Sequence, residues 1–162
     1  MYGQDMPLYR PKFDNTAVEP CLILANKWQN WKPPNNPPKT KEFKSLKTLQ
    51  KMVYLSTLLE GKPLSNTTLA KMVEVHEFDE EHDHVKMLWY HLAVKNKYEP
   101  DFEKAIQFVN YLAPDQPTEV APLFISLLKW EDKKDQISRI MNTLEHDNDM
   151  LEIVKIYSYA KQ

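Results

Sequence analysis

His76, Glu77, Glu80, His82 and His84 are the residues of this chain whose types and spacing come nearest to chemistry, and that chemistry would be zinc-assisted hydrolysis. They lie in the run HEFDEEHDHVKMLWYH, His76 to His91, which holds four histidines and five carboxylates. A zinc peptidase helix needs two histidines four apart on one face, with a glutamate beside the first as general base. His76 and Glu77 supply half of that pattern, but Glu80 stands where the second histidine is required. His82 and His84 follow beyond a Phe78-Asp79 turn. Being two apart, they point in different directions on a helix and could share a metal only in an extended segment. The carboxylates from Asp79 to Asp83 read as negative charges at the start of a helix, where they complement its dipole and free N–H groups. The run therefore predicts a capped turn between helices and no metal ligand. No Gly-rich phosphate loop exists, and the lone Cys21 sits among aliphatic residues without a neighbouring base. The residues predict no catalytic, cofactor-binding or metal-binding group in this chain.

The elements that carry these residues follow from periodicity and punctuation. Two glycines against 12 prolines argue against hairpins, which need residues that accept positive φ, and leave helices joined by proline-marked loops. Residues 1–14 read as an extended lead-in. Thr16 and Glu19 have capping-box spacing, and Pro20 suits only a first turn. Cys21, Leu24, Ala25, Trp28 and Trp31 then share one helical face, and KPPNNPPKTK ends that helix in a stiff loop. A second helix is expected over Ser45 to Glu60, with Gly61 as a left-handed cap. Its apolar residues (among them Leu46, Leu49, Met52, Leu55 and Leu58) cover more than one stripe, as in a layered array. Ser65 caps a third helix, with Leu64 and Leu69 at staple spacing and Met72 and His76 further along.

Val85, Leu88, Trp89 and Leu92 mark a fourth helix. Pro100 opens a fifth, whose core face is Phe102, Ala105, Val109 and Leu112. A sixth starts near Thr118, a seventh runs from Asp132 to Glu145 with Ile137, Ile140, Met141 and Leu144, and Asp147 caps a last one. About eight helices on short loops make an all-α, antiparallel α-α array. No fixed repeat period is present, so any solenoid is irregular.

With 162 residues and 42 % hydrophobic content, residues 15–162 are enough for a single domain with its own core. A net charge of −2 excludes the basic excess of a nucleic-acid binder, and no apolar run reaches the length of a membrane span. One cysteine and no signal-peptide pattern predict the cytoplasm, with the nucleus as the alternative.

The strings MPLYRPKFDNTAVEPCLILANKW, LLEGKPLSNTTLAKMVEVHEFD, KMLWYHLAVKNKY and APLFISLLKWEDKKDQ, in this order, resemble the carboxy-terminal domain of the leukotriene A(4) hydrolase, aminopeptidase B and aminopeptidase O family. The resemblance spans nearly the whole chain and rests on helix order and short strings, without a catalytic signature. It implies a two-layered antiparallel helical coil, similar to armadillo and HEAT arrays, that follows a zinc peptidase domain and helps to wall its substrate cleft. It also implies that the zinc ligands and the Gly-rich exopeptidase motif belong to that preceding domain. The partners would be the peptidase domain of the same polypeptide and the peptide substrate of the whole enzyme. The lead-in YGQDMPLYRPKFD looks like the family's inter-domain linker, as expected of a fragment or a short isoform. In leukotriene A(4) hydrolase, basic residues just before PLF hold the substrate carboxylate, whereas here no Lys or Arg lies between Lys104 and Lys129. The resemblance thus points to an aminopeptidase with a different carboxyl-end preference. A stand-alone helical interaction module is the alternative that the same packing would serve.

Overall fold

The computed structural model describes residues 15–143, and these are all-helical, with no strand. Eight α-helices follow in order: α1 (Asn15–Asn30), α2 (Thr40–Lys44), α3 (Thr48–Glu60), α4 (Asn66–His76), α5 (Asp83–Lys95), α6 (Phe102–Leu112), α7 (Pro117–Leu128) and α8 (Lys134–Thr143). Single 3-10 turns at Phe78–Glu80, Glu99–Asp101 and Glu131–Lys133 lead into α5, α6 and α8. The expected lead-in at 1–14 and the helix from Asp147 lie outside the described residues, as do the side chains of Ile140, Met141 and Leu144. The chain divides into two compact units, parted between Leu92 and Ala93.

In the first unit α1 packs on α3, and α2 on α4. The expected inward face of α1 is in place: Cys21, Leu24, Ala25 and Trp28 are at most 3 % exposed. Pro20 lies inside α1 rather than in its first turn. Its missing N–H would have bonded the carbonyl of Thr16, close enough to the start for the helix to absorb the loss. Gln50 ties the two helices together: its side chain accepts from the Lys47 N–H (2.8 Å) and donates to the Ala17 carbonyl (2.9 Å). The helix expected over Ser45 to Glu60 starts at Thr48, as α3, and a separate five-residue helix, α2, precedes it at Thr40–Lys44. Leu49 is 48 % exposed, so the second apolar stripe of α3 is only partly covered. Ser65 caps α4 as its type predicts, its hydroxyl accepting from the Thr68 N–H at 3.1 Å.

Gly61 corrects an expectation. Its φ of −86° is not left-handed. A side chain there would meet the amide end of Gln29 on α1, so the glycine permits a close approach and does not reverse the chain. The left-handed caps belong to Glu77 (φ 53°), which ends α4, and Lys97 (φ 56°), which follows α5.

Around Lys97 the Tyr98 N–H bonds the Ala93 carbonyl (2.8 Å) and the Lys97 N–H bonds the Val94 carbonyl (2.9 Å), the paired bonds of a Schellman motif. A side chain is strained in that conformation. Lys97→Gly is expected to raise stability by about 0.5–1 kcal/mol in urea titration.

In the second unit α6 and α7 pack together, burying Phe102, Ala105, Val109 and Leu112 from one helix and Val120, Leu123, Phe124 and Leu127 from the other. Ile137 of α8 is buried as well. Trp130 meets Phe102 edge to face at 5.3 Å. Lys133 lies over both rings and pairs with Glu99.

Candidate functional site

His76 ends α4 with its ring fully buried. The sequence placed it on the inward face, and the structure surrounds it with rings. Phe43 lies at 4.3 Å, Phe78 at 5.0 Å, Trp28 at 5.3 Å and Tyr54 at 5.6 Å, the last stacked within 11°. Phe78 in turn stacks on Trp89 at 4.4 Å. Offset and edge contacts at these distances are worth about 0.5–1.5 kcal/mol per pair beyond the area they bury. The Tyr54 hydroxyl and His76 Nε2 are 2.8 Å apart, a buried hydrogen bond between a phenol and an imidazole.

Burial holds His76 in the neutral state, lowering its pKa to about 3. The Met72 backbone opposes the shift and the Lys44 and Lys51 charges add to it. Nδ1 makes no hydrogen bond of good geometry. The same burial pushes the Tyr54 phenol well above its ordinary value. A ring with no exposed edge and with Nε2 bonded to tyrosine is closed to a metal or a substrate.

The acidic run splits by role. Glu81 is gripped by two lysines, Lys44 of α2 at 2.7 Å and Lys51 of α3 at 2.8 Å, and its side chain is 8 % exposed. Lys44 also donates to the Glu77 carbonyl at 3.3 Å. Both ammonium groups lie over the Phe43 ring, at 5.7 and 5.0 Å. Desolvation alone would raise the Glu81 pKa, but hydrogen bonds from Lys44 and then Lys51, with their charges, outweigh it and hold the carboxyl below its usual range. The turn between α4 and α5 is thereby clamped to α2 and α3, rather than being merely solvated. Glu81→Gln keeps the shape but leaves two facing cations short of a counter-charge. It is expected to cost about 1–3 kcal/mol, read as a lower urea midpoint at pH 7.

His82 and His84 do come together, against the sequence expectation, with rings stacked at 5.0 Å. The reason is that His82 is outside the helix, as the cap of α5. Its carbonyl accepts from Val85 (2.9 Å) and Lys86 (3.0 Å), and its Nδ1 accepts from the His84 N–H (3.2 Å). Histidine thus takes the cap role that the sequence gave to the carboxylates. With Nδ1 engaged and His76 enclosed elsewhere, the three histidines do not fit a zinc ion. Among the described residues no group of three or more His, Cys, Asp or Glu side chains could hold a metal. Calorimetric titration with zinc is expected to give no stoichiometric heat.

Cys21 is also enclosed. Its thiol points at the Ala17 carbonyl (3.7 Å), and burial raises its pKa despite a smaller opposing effect of the backbone. That is the reverse of a reactive thiolate. In the second unit, the α6–α7 turn and the first turns of α7 expose Asp115 and Glu119, and no cation lies between Lys104 and Lys129. No described helix is long and apolar enough to cross a membrane.

His76, Glu81, Cys21 and the His82 cap thus hold helices and turns together. The comparisons with known proteins agree with such a part. The family model for the carboxy-terminal domain of leukotriene A4 hydrolase matches residues 46–143. A leukotriene A-4 hydrolase of Xenopus laevis is 25 % identical over 138 residues, covering 84 % of this chain and 22 % of the relative. The chain therefore spans about a fifth of the length of that curated relative. The match takes in the clamp lysine on α3, the enclosed histidine, the capped turn and every described helix from α3 onward, and by it this chain belongs to the leukotriene A4 hydrolase carboxy-terminal domain family.

Proposed function

We propose that this chain is the non-catalytic, carboxy-terminal helical domain of a longer zinc aminopeptidase. Residues 1–14 serve as the inter-domain linker, and residues 15–162 pack on the peptidase domain and form one wall of its substrate cleft. The whole enzyme removes amino-terminal residues from peptides in the cytoplasm, with zinc bound by the preceding domain.

The observation that carries this reading is the family match to a carboxy-terminal domain, on a chain covering only 22 % of the matched relative. The side chains support it from the other direction, because His76, Glu81 and Cys21 are taken up in packing, ion pairs and hydrogen bonds and His82 caps α5. The lack of any cation between Lys104 and Lys129 favours an aminopeptidase with a different carboxyl-end preference, since a charge-assisted bond to a substrate carboxylate cannot come from the exposed Thr118 or Glu119.

Activity assays on this chain test the reading. The 162-residue protein is expected to release no amino-terminal residue from aminoacyl amide substrates, with or without added zinc. The complete polypeptide is expected to release it in a chelator-sensitive way. Chelator-sensitive release by the short chain would refute the proposal.

A further inference from the structure

Helix α1 buries one apolar face and leaves two large aliphatic residues open on its otherwise mostly polar outer side. Cys21, Leu24, Ala25 and Trp28 are buried in the first unit, whereas Leu22 and Ile23, in the middle of the same helix, are 46 % and 48 % exposed. A single exposed leucine is ordinary on any protein. Here two consecutive large aliphatic residues are open, and one of them, Ile23, lines an open groove of about 480 Å³ between α1 and α2. Pro20, Ile23, Leu24 and Leu46 line it, and the Lys27–Glu42 ion pair (3.1 Å) lies at the same groove. An apolar centre bordered by charge is the composition of an interface rather than of free surface.

We infer that this face of α1 and the α1–α2 groove are the docking surface for the preceding peptidase domain of the same polypeptide. The partner presents one or two apolar side chains to the groove, with polar groups around them. The inference rests on the proposed function and adds the surface through which that function works.

The occupant follows from chain order. The matched family is a carboxy-terminal domain, and most of the matched relative lies outside the aligned part. α1 is the first described element, and Leu22 is only seven residues beyond Asn15, about 10 Å along the helix. Through the 14 residues ahead of Asn15, at most about 50 Å when extended, a domain joined ahead of α1 is within reach of this patch. Tethering at such range supplies an effective concentration in the millimolar range, so a patch too small to hold a free partner suffices.

The test places a photo-crosslinking amino acid at Ile23 of the complete polypeptide and, separately, at Tyr111, which is 65 % exposed in the second unit. Ile23 is expected to crosslink to residues of the peptidase domain. The double variant L22D/I23D should leave the urea midpoint of the 162-residue chain unchanged, while limited proteolysis between the domains of the complete polypeptide becomes about tenfold faster. Crosslinking to the peptidase domain from Tyr111 but not from Ile23 would overturn the surface and leave the functional reading standing. Crosslinking from Ile23 to a second copy of the chain, or no crosslink from it, would also overturn the surface. A native product no longer than this chain would overturn the functional reading together with the inference.

Discussion

Acidification from pH 7 to pH 4.5 is expected to remove about 2–3 kcal/mol from the stability of the first unit, most of it through His76. The native ring stays neutral down to a pKa of about 3, whereas in the unfolded chain it takes up a proton near pH 6.5. Between those values the unfolded state binds the extra proton. The stabilisation is thus complete above pH 6.5 and is lost, at about 1.4 kcal/mol per pH unit, as pH falls through that window. Glu81 acts in the same direction lower down, because its depressed pKa stabilises the native state above its ordinary pKa of 4.5 and loses that contribution below it. Urea titrations followed by tryptophan fluorescence report on this unit, which holds Trp28, Trp31 and Trp89. The double variant Y54F/H76L removes both partners of the buried bond together, so it is expected to be nearly neutral at pH 7 and to flatten the profile between pH 6.5 and 4.5. A wild-type midpoint that does not move between pH 7 and 4.5 would show that His76 is not held neutral.

The second large effect belongs to Phe43. Phe43→Ala is expected to cost about 3–5 kcal/mol. Its ring is fully buried, contacts Tyr54 at 5.7 Å, His76 at 4.3 Å and Phe78 at 5.6 Å, and lies beneath both clamp lysines. Truncation opens a cavity beside a buried polar pair and removes the surface on which Lys44 and Lys51 rest. Phe43→Leu keeps most of the volume and should cost much less. Equal losses for the two variants would mean that ring stacking, rather than cavity formation, dominates at this position.

Helix faces with a full period were legible in the sequence. Cys21 to Trp28, Val85 to Leu92 and Phe102 to Leu112 are buried as their spacing predicts, and Ser65 caps where its type predicts. What escaped has local physical reasons. α2 has five residues, too few to show a period, and its one buried ring sits in a lysine-rich string. Glu81 looks like any other carboxylate of its run until the fold brings Lys44 and Lys51 to it, from positions 37 and 30 residues away. Gly61 was expected to reverse the chain, the common reason for a glycine after a helix, when the actual reason is Gln29 on another helix. His82 was not foreseen as the cap of α5, because caps are usually Ser, Thr, Asp or Asn. The roles of Glu81 and Gly61 depend on contacts between elements, which periodicity along one element does not encode. The candidate site was legible mainly in the negative: the half-formed zinc motif was recognised as incomplete, while the rings around His76 were not foreseen as one cluster.

The central claim is that this domain works as part of a longer polypeptide. The most direct measurement is the size of the native product, detected in cell extract by an antibody raised against this chain. The account predicts a band several times larger than 19.2 kDa, with chelator-sensitive aminopeptidase activity recovered by the same antibody. A sole band at 19.2 kDa, with no such activity, would contradict it.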